Sequence, residues 1–233
     1  MPRHYVLVDA CVAAAHFAPK STQSAHLKAR SATLFTGASP QVDLRLLIPN
    51  FCIAEVFAVF EKYRWGRTWN KHVKPANTLT PAAFAAARGA FRTAIHNGAA
   101  VQQVELNRYH ILCVDLVAPV NNAYKIVRSR STKKNPSPAS TFDMQVVAMG
   151  IWLQRLFGGA DFTVVTGDER IATVVRRARS TNLGQPMKTH LAGVAAELGL
   201  TYGPALYPAV LNLTRCRRDE LDARFPGRVP AWS

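Results

Sequence analysis

The chain has 233 residues, 48% of them hydrophobic, which suffices for one large domain or for a core with an appendage. It carries 29 Lys and Arg against 14 Asp and Glu, a formal charge of +15. This excess predicts attraction to a polyanion, most often nucleic acid. The longest apolar run, residues 51–60, is too short to span a bilayer and contains Glu55, which argues against a membrane protein.

The cysteines and the N-terminus predict a cytoplasmic protein. Cys11, Cys52, Cys113 and Cys216 are far apart and form no Cys-x-x-Cys, a pattern typical of reduced, mostly buried thiols. No extended apolar stretch precedes the first Asp, so no signal peptide is expected.

In chain order, the first half alternates short β-branched runs with helical patterns. Residues 5–8 predict a buried parallel strand. Residues 64–80 predict an irregular basic insertion with aromatic side chains. The other predicted elements here are helices over 10–17, 24–35, 50–63 and 81–97 and strands over 46–48 and 101–106.

The second half continues this alternation. Residues 107–127 predict helix, with Pro119 as a break, and residues 128–141 form a Ser/Pro/Lys/Arg loop. The predicted elements that follow are a helix over 141–156, a strand over 162–165, helices over 171–179 and 188–198, a final strand and a basic tail. Strands alternating with helices predict an α/β fold, a mostly parallel sheet flanked by helices.

Four of the few acidic residues lie at strand ends or inside apolar segments. Asp9 and Asp168 each follow a predicted strand, and Glu55 and Asp143 are early in apolar helices. Sites in open parallel sheets form outside the carboxyl ends of the strands. Four carboxylates that converge there would suit Mg²⁺ or Mn²⁺. Because they would also repel one another, changing one to its amide is expected to raise stability without metal.

Each acid also has a purely structural alternative. Asp9 and Asp168 stand where a helix N-cap would stand, and Ser140 with Asp143 has the spacing of a capping box. Glu55 has apolar neighbours, so its helix is expected to be largely buried and its carboxylate to need an ion or an Arg partner. Asp161 is expected to be a turn residue.

The ordered set of motifs VLVDACV, IAEVFAVF, FDMQVVAMG and VVTGDERIA resembles the PIN-domain (PilT N-terminus) ribonuclease family over residues 4–178. The resemblance implies a PIN-like nuclease domain over residues 1–180, with the insertion at 64–80, and a C-terminal extension over 181–233 that packs on or trails the core. It also implies that Asp9, Glu55, Asp143 and Asp168 are the metal ligands and catalytic residues, with Thr166 supporting them by hydrogen bonding. The chain departs from the family in having Ala10 and Cys11 where members commonly carry Ser, Thr or Asn.

Basic residues cluster in three segments, two of which flank proposed ligands. Cations interleaved with aromatic rings suit contact with a nucleic-acid backbone together with base stacking. The alternative is a solvated basic face. The candidate nucleic-acid-binding residues are Arg64, Trp65, Arg67 and Lys71 in the first segment, Arg128, Arg130, Lys133 and Lys134 in the second, and Arg176 and Arg177 in the third.

The function implied by the resemblance is a metal-dependent endoribonuclease that hydrolyses RNA phosphodiester bonds with Mg²⁺ or Mn²⁺. Many small members are toxins of toxin–antitoxin pairs, so the partners expected are RNA and a small acidic antitoxin-like protein, with a homodimer left open. Two alternatives also stay open: a structure-specific DNA nuclease, and a catalytically weak RNA-binding or scaffold protein. Nucleotide-binding loop motifs and paired His ligands are absent from the sequence.

Overall fold

The computed structural model describes residues 3–19, 24–38, 43–66, 77–98, 101–129, 138–158, 161–180 and 183–229. For six of the candidate nucleic-acid-binding residues the structure describes no side chain. Arg67, Lys71, Arg130, Lys133 and Lys134 lie outside the described residues, and Arg128 is described only as part of a helix.

The protein has an α/β architecture with a central five-stranded parallel sheet flanked by helices, as the sequence predicts. The strand order is β3-β2-β1-β4-β5. β1 pairs with β2 from His4 opposite Leu44, and β2 pairs with β3 from Leu46 opposite Val101. The strands are β1 (His4–Val8), β2 (Leu44–Pro49), β3 (Val101–Val104), β4 (Phe162–Thr166) and β5 (Ala209–Asn212).

Helices join the strands. The N-caps of α2 and α4 are Ser24 and Thr80, whose side chains accept hydrogen bonds from backbone N–H groups of the first turn. In the described residues the helices are α1 (Ala10–Phe17), α2 (Ala25–Gly37), α3 (Asn50–Trp65), α4 (Pro81–Asn97), α5 (Arg108–Leu112), α6 (Ala118–Ser129), α7 (Thr141–Phe157), α8 (Glu169–Arg179), α9 (Gln185–Glu197) and α10 (Arg218–Arg224).

The chain divides into two compact units. Unit 1 comprises residues 1–105, 165–167 and 212–233, and unit 2 comprises residues 106–164 and 168–211. Residues 181–233, expected as an extension, therefore contribute to both units, since they include α9, β5 and α10.

Unit 1 is held by aromatic packing among its helices. The ring of Phe91 on α4 lies 5.2 Å from both Phe17 of α1 and Phe57 of α3, and Phe35 of α2 packs edge-on against Phe17 at 5.5 Å. Aromatic pairs in such tilted and edge-on geometry add about 0.5–1.5 kcal/mol each beyond their buried area. The cluster therefore fixes α3, the helix that carries Glu55, against α1.

In unit 2 a buried amide fixes the start of α7. The side chain of Asn121 donates to the carbonyl of Ala139 at 3.1 Å and accepts from the Ala139 N–H at 3.0 Å. These two bonds reproduce one step of a strand ladder. They place Ser140 and Asp143, which begin α7, relative to α6.

Two helices differ from the sequence predictions, α6 in one respect and α3 in two. Pro119 does not break a helix but lies in the first turn of α6, where its missing N–H has no helical acceptor to lose. α3 continues to Trp65, so the predicted insertion begins as helix. α3 also buries a narrower stripe than its apolar run suggests, because only Cys52, Val56 and Phe60 are buried while Ala54 and Ala58 are exposed. Among the described residues, no helix combines the length and hydropathy required to cross a membrane.

Candidate metal centre

Asp9 lies where the chain reverses its direction of progress across the sheet. From β1 the chain proceeds to β2 and β3 on one side, and later returns to place β4 on the other side of β1. Ligands of parallel α/β sheets bind at the carboxyl ends of the strands at such a switch point. Asp9 follows the last residue of β1, and its N–H donates to the carbonyl of Val165 in β4 at 3.0 Å.

The Asp9 carboxylate is buried and held by two donors. Its Oδ2 accepts from the hydroxyl of Thr166 at 2.7 Å and from the thiol of Cys11 at 2.9 Å. Although Asp9 occupies the N-cap position of α1, its side chain makes no capping hydrogen bond. The capping alternative therefore does not account for Asp9, and the hydrogen bond that the resemblance implies for Thr166 is present. Cys11 therefore acts as a second hydrogen-bond donor to this carboxylate.

Close approach of the backbone holds Cys11 in this position. The N–H of Gly167 donates to the Cys11 sulfur at 3.0 Å. A Cβ at position 167 would lie 2.9 Å from Leu27 Cδ2 and 3.2 Å from the Cys11 sulfur. A larger residue would require the Leu27 and Cys11 side chains to shift, so Gly167 permits this close approach beside Asp9.

Glu55 and Cys52 complete a group with Asp9. A carboxylate oxygen of Asp9, one of Glu55 and the sulfur of Cys52 all lie within 4.8 Å of one another. Cys52 is fully buried one turn before Glu55 on α3, and Glu55 is half-buried. The sequence predicted that Asp9 and Glu55 lie together, but it did not single out Cys52. The signal that could have identified Cys52 is its spacing of three residues from Glu55, because this spacing places both side chains on one face of a helix.

Burial and the carboxylates determine the state of the thiols. Burial, and then the charge of Asp9, raise the pKa of Cys11 well above its usual range. The pKa of Cys52 is raised by burial, then by Asp9 and then by Glu55. Both groups are therefore neutral thiols at neutral pH in the protein without metal.

Asp143 and Asp168 lie together in unit 2, with Arg170 between them. The Arg170 Nε donates to both oxygens of Asp168 at 3.0 and 2.9 Å, and its Nη2 also contacts Asp168. The same Nη2 lies 3.5 Å from Asp143 Oδ2. A guanidinium thus supplies positive charge to both carboxylates. Neither a third acid nor a metal is needed to account for this pair.

Both residues also cap helices, as the structural alternative predicts. Asp143 and Ser140 form a capping box at α7, in which the Ser140 N–H donates to Asp143 at 2.7 Å and the Asp143 N–H donates to Ser140 at 3.2 Å. Asp168 caps α8 by accepting from the Arg170 N–H at 2.7 Å. Asp161 lies in a turn, as expected. The structure thus brings Asp9 together with Glu55 in one unit and Asp143 together with Asp168 in the other, and the four-carboxylate cluster stays a prediction.

The candidate nucleic-acid-binding residues that the structure describes differ in their exposure to solvent and in their intramolecular contacts. Trp65 is 42% exposed, but the Arg64 guanidinium lies over its ring at 4.9 Å. The indole N–H of Trp65 donates to Glu61. Arg176 is exposed and paired with Glu169. Arg177 is half-buried, and its Nη1 is inaccessible to solvent. Each of these side chains already makes an intramolecular contact or is partly buried.

A basic aromatic stack on unit 2 was not predicted. The rings of Tyr109 and Trp152 stack in parallel at 4.5 Å, with Arg108 over Tyr109 at 4.8 Å and Arg155 over Trp152 at 5.0 Å. Arg108, Tyr109 and Arg155 are exposed. Sequence reasoning missed the stack because Tyr109 and Trp152 are more than forty residues apart in the chain. The only local signal was an Arg beside or one turn from each aromatic residue.

Comparisons were made with protein-family models, with curated proteins and with solved structures. No family model, curated protein or solved structure matches this chain.

Proposed function

We propose that this protein is a metal-dependent endoribonuclease with a PIN-like fold, and that Asp9 and Glu55 hold its divalent ion. One observation carries the proposal: a buried aspartate at the switch point of a parallel sheet lies beside a glutamate from the next crossover helix. Two carboxylates this close repel each other in a site of low dielectric, and a cation between them offsets that repulsion.

The donor set fits a divalent ion. Carboxylate oxygens are the ligands that Mg²⁺ and Mn²⁺ prefer. When bound, such an ion supplies Lewis acidity toward a phosphodiester and lowers the pKa of water. The contribution of the protein is orientation, because Thr166 and Cys11 both donate to Asp9 Oδ2 and so fix the plane of that carboxylate.

The net charge of +15 supports RNA as the substrate class, because carboxylates alone would repel a phosphate backbone. The arginines that stack on Tyr109 and Trp152 offer exposed guanidinium groups to phosphates. A toxin role with an antitoxin-like partner stays a prediction of the resemblance.

A second candidate function is RNA binding without efficient catalysis. It is favoured by Arg170, which neutralises Asp143 and Asp168 in the way that a cation would. If those two acids serve only as helix caps, the centre has two carboxylates instead of four.

Cleavage of labelled single-stranded RNA, with DNA of the same sequence alongside, tests the proposal in Mn²⁺, Mg²⁺ or EDTA. We expect metal-dependent cleavage of RNA that Asp9→Asn and Glu55→Gln reduce by at least about 100-fold, the scale on which removal of one electrostatic group slows an enzyme. Glu197→Gln is the control, because Glu197 is an exposed glutamate at the end of α9 and should leave cleavage unchanged.

Three outcomes are decisive. Full activity in EDTA would contradict the metal centre. Cleavage of DNA in preference to RNA would support the structure-specific DNA nuclease instead. RNA binding with no cleavage in either metal would support the second candidate.

A further inference from the structure

The sulfur of Cys52 belongs to the same group as the two proposed ligands. It lies within 4.8 Å of a carboxylate oxygen of Asp9 and of Glu55. Two donor atoms bound to one tetrahedral ion lie about 3.5 Å apart, given metal–oxygen and metal–sulfur distances of roughly 2.1 and 2.3 Å. Shifts on the order of 1 Å would therefore bring the three donors onto one ion.

The thiol itself is the second observation. Cys52 is 0% exposed, and its sulfur accepts a hydrogen bond from the N–H of Ala10. Among the residues that the structure describes, Cys52 forms no disulfide bond. This buried sulfur accepts a backbone N–H and lies beside two carboxylates, as a thiolate ligand of a metal ion would. The N–H would stabilise the negative charge of the thiolate.

We propose that Cys52 is a third ligand of this ion, and that the centre therefore prefers borderline divalent ions such as Co²⁺ and Zn²⁺ over Mg²⁺. The proposal rests on the proposed metal centre but not on RNA cleavage. As the sulfur–metal bond forms, the thiol proton passes to solvent. Thiolate donors select Zn²⁺ over hard cations, and affinity rises from Mn²⁺ through Co²⁺ in mixed nitrogen, oxygen and sulfur sites.

Titration of the purified full-length protein with Co²⁺ tests the assignment, because a thiolate bound to Co²⁺ gives a near-ultraviolet charge-transfer band. We expect the band in the wild type, its loss in Cys52→Ser, and at least about a tenfold weaker Co²⁺ affinity, since even an outer partner of a ligand costs 10–100-fold. Cys113→Ser is the matched control: Cys113 is equally buried but belongs to unit 2, so its variant should keep the band.

If Cys52→Ser fails to fold, a measurement on the wild type still tests the assignment. X-ray absorption of the Zn²⁺-loaded protein should show one sulfur at about 2.3 Å together with oxygen donors. A shell of oxygen and nitrogen alone, or a band that persists in folded Cys52→Ser, would overturn the assignment. If the band behaves as expected but RNA stays intact in every metal, the ligand assignment holds and the nuclease proposal fails.

Discussion

At the scale of single residues, the four acids predicted as equivalent ligands have different surroundings. Asp9 is buried and held by Thr166 and Cys11, in a group with Glu55. Asp143 and Asp168 cap helices and share Arg170. The sequence predicted the positions of all four. It did not predict the role of Arg170. A local sequence pattern gives the position of a residue in a helix but not which side chains it contacts.

The surroundings of Asp143 reverse the expected effect of removing its charge. Without metal, Asp143→Ala should lower the free energy of unfolding by about 1–2 kcal/mol, because α7 loses its capping box and Arg170 loses a partner. Asp143→Asn should cost less, since an amide still caps. Urea denaturation measures both, with the exposed Asp115→Ala as the control. An increase in stability for either variant would show that repulsion among carboxylates outweighs the cap.

At the scale of elements, prediction succeeded where a local signal marks both ends. α4 has the predicted bounds, because the Thr80 side chain caps its first turn and Gly98 ends it with φ +60°. The failures have a tertiary cause. Pro119 alone cannot show whether a helix ends before it or begins around it, and α6 begins around it. The buried stripe of α3 depends on which helices cover it, which the hydrophobic run does not specify.

The end of α1 provides a pH-dependent contribution to stability. The Lys28 ammonium donates to the carbonyls of Ala15, His16 and Ala18, and the His16 ring stacks on Phe35 at 4.2 Å. Burial, and then the Lys28 charge, lower the pKa of His16 from 6.5 to about 4. Between these values the unfolded chain binds a proton that the folded chain does not. Stability from this group is therefore complete above pH 6.5 and is lost as pH falls toward about 4.

The size of the effect is up to about 3 kcal/mol, because each pKa unit corresponds to about 1.4 kcal/mol. His16→Phe keeps an aromatic ring against Phe35 and should flatten the pH dependence in this window. Denaturation curves at a series of pH values measure it, and His190→Gln, an exposed position, should change nothing. A pH dependence that is identical in wild type and His16→Phe would mean that the carboxylates alone determine acid stability.

At the scale of the whole molecule, the alternation of strands and helices predicted the α/β class but not the two compact units. The two units alternate along the sequence, because residues 165–167 and 212–233 belong to the same unit as residues 1–105. Such long-range grouping depends on contacts between segments far apart in the chain. The basic aromatic stack escaped prediction for the same reason, and the segments richest in cations lie partly outside the described residues.

The stack makes a testable contribution to RNA binding. If Arg108 and Arg155 each contact a phosphate, Arg108→Gln with Arg155→Gln should weaken binding and reduce the slope of log affinity against log salt by about 1.4 units, at roughly 0.7 per contact on a single strand. Fluorescence anisotropy with single-stranded RNA over a range of salt measures the slope. The control is Arg217→Gln with Arg218→Gln on α10, where both arginines already pair with acids. Equal salt-dependence slopes in the two double variants would show that the stack does not contribute to RNA binding.

The position of β5 at the end of the sheet has a consequence for how this protein is made and shortened. β5 is formed by residues 209–212 and lies beside β4. During translation, β4 therefore cannot pair with β5 until more than forty further residues have been synthesised. A truncated chain that ends near residue 180 would keep all four acids, yet it would present β4 as an unpaired edge open to intermolecular pairing. Such a fragment is expected to aggregate, so expression of a folded core is expected to require the chain to extend past β5.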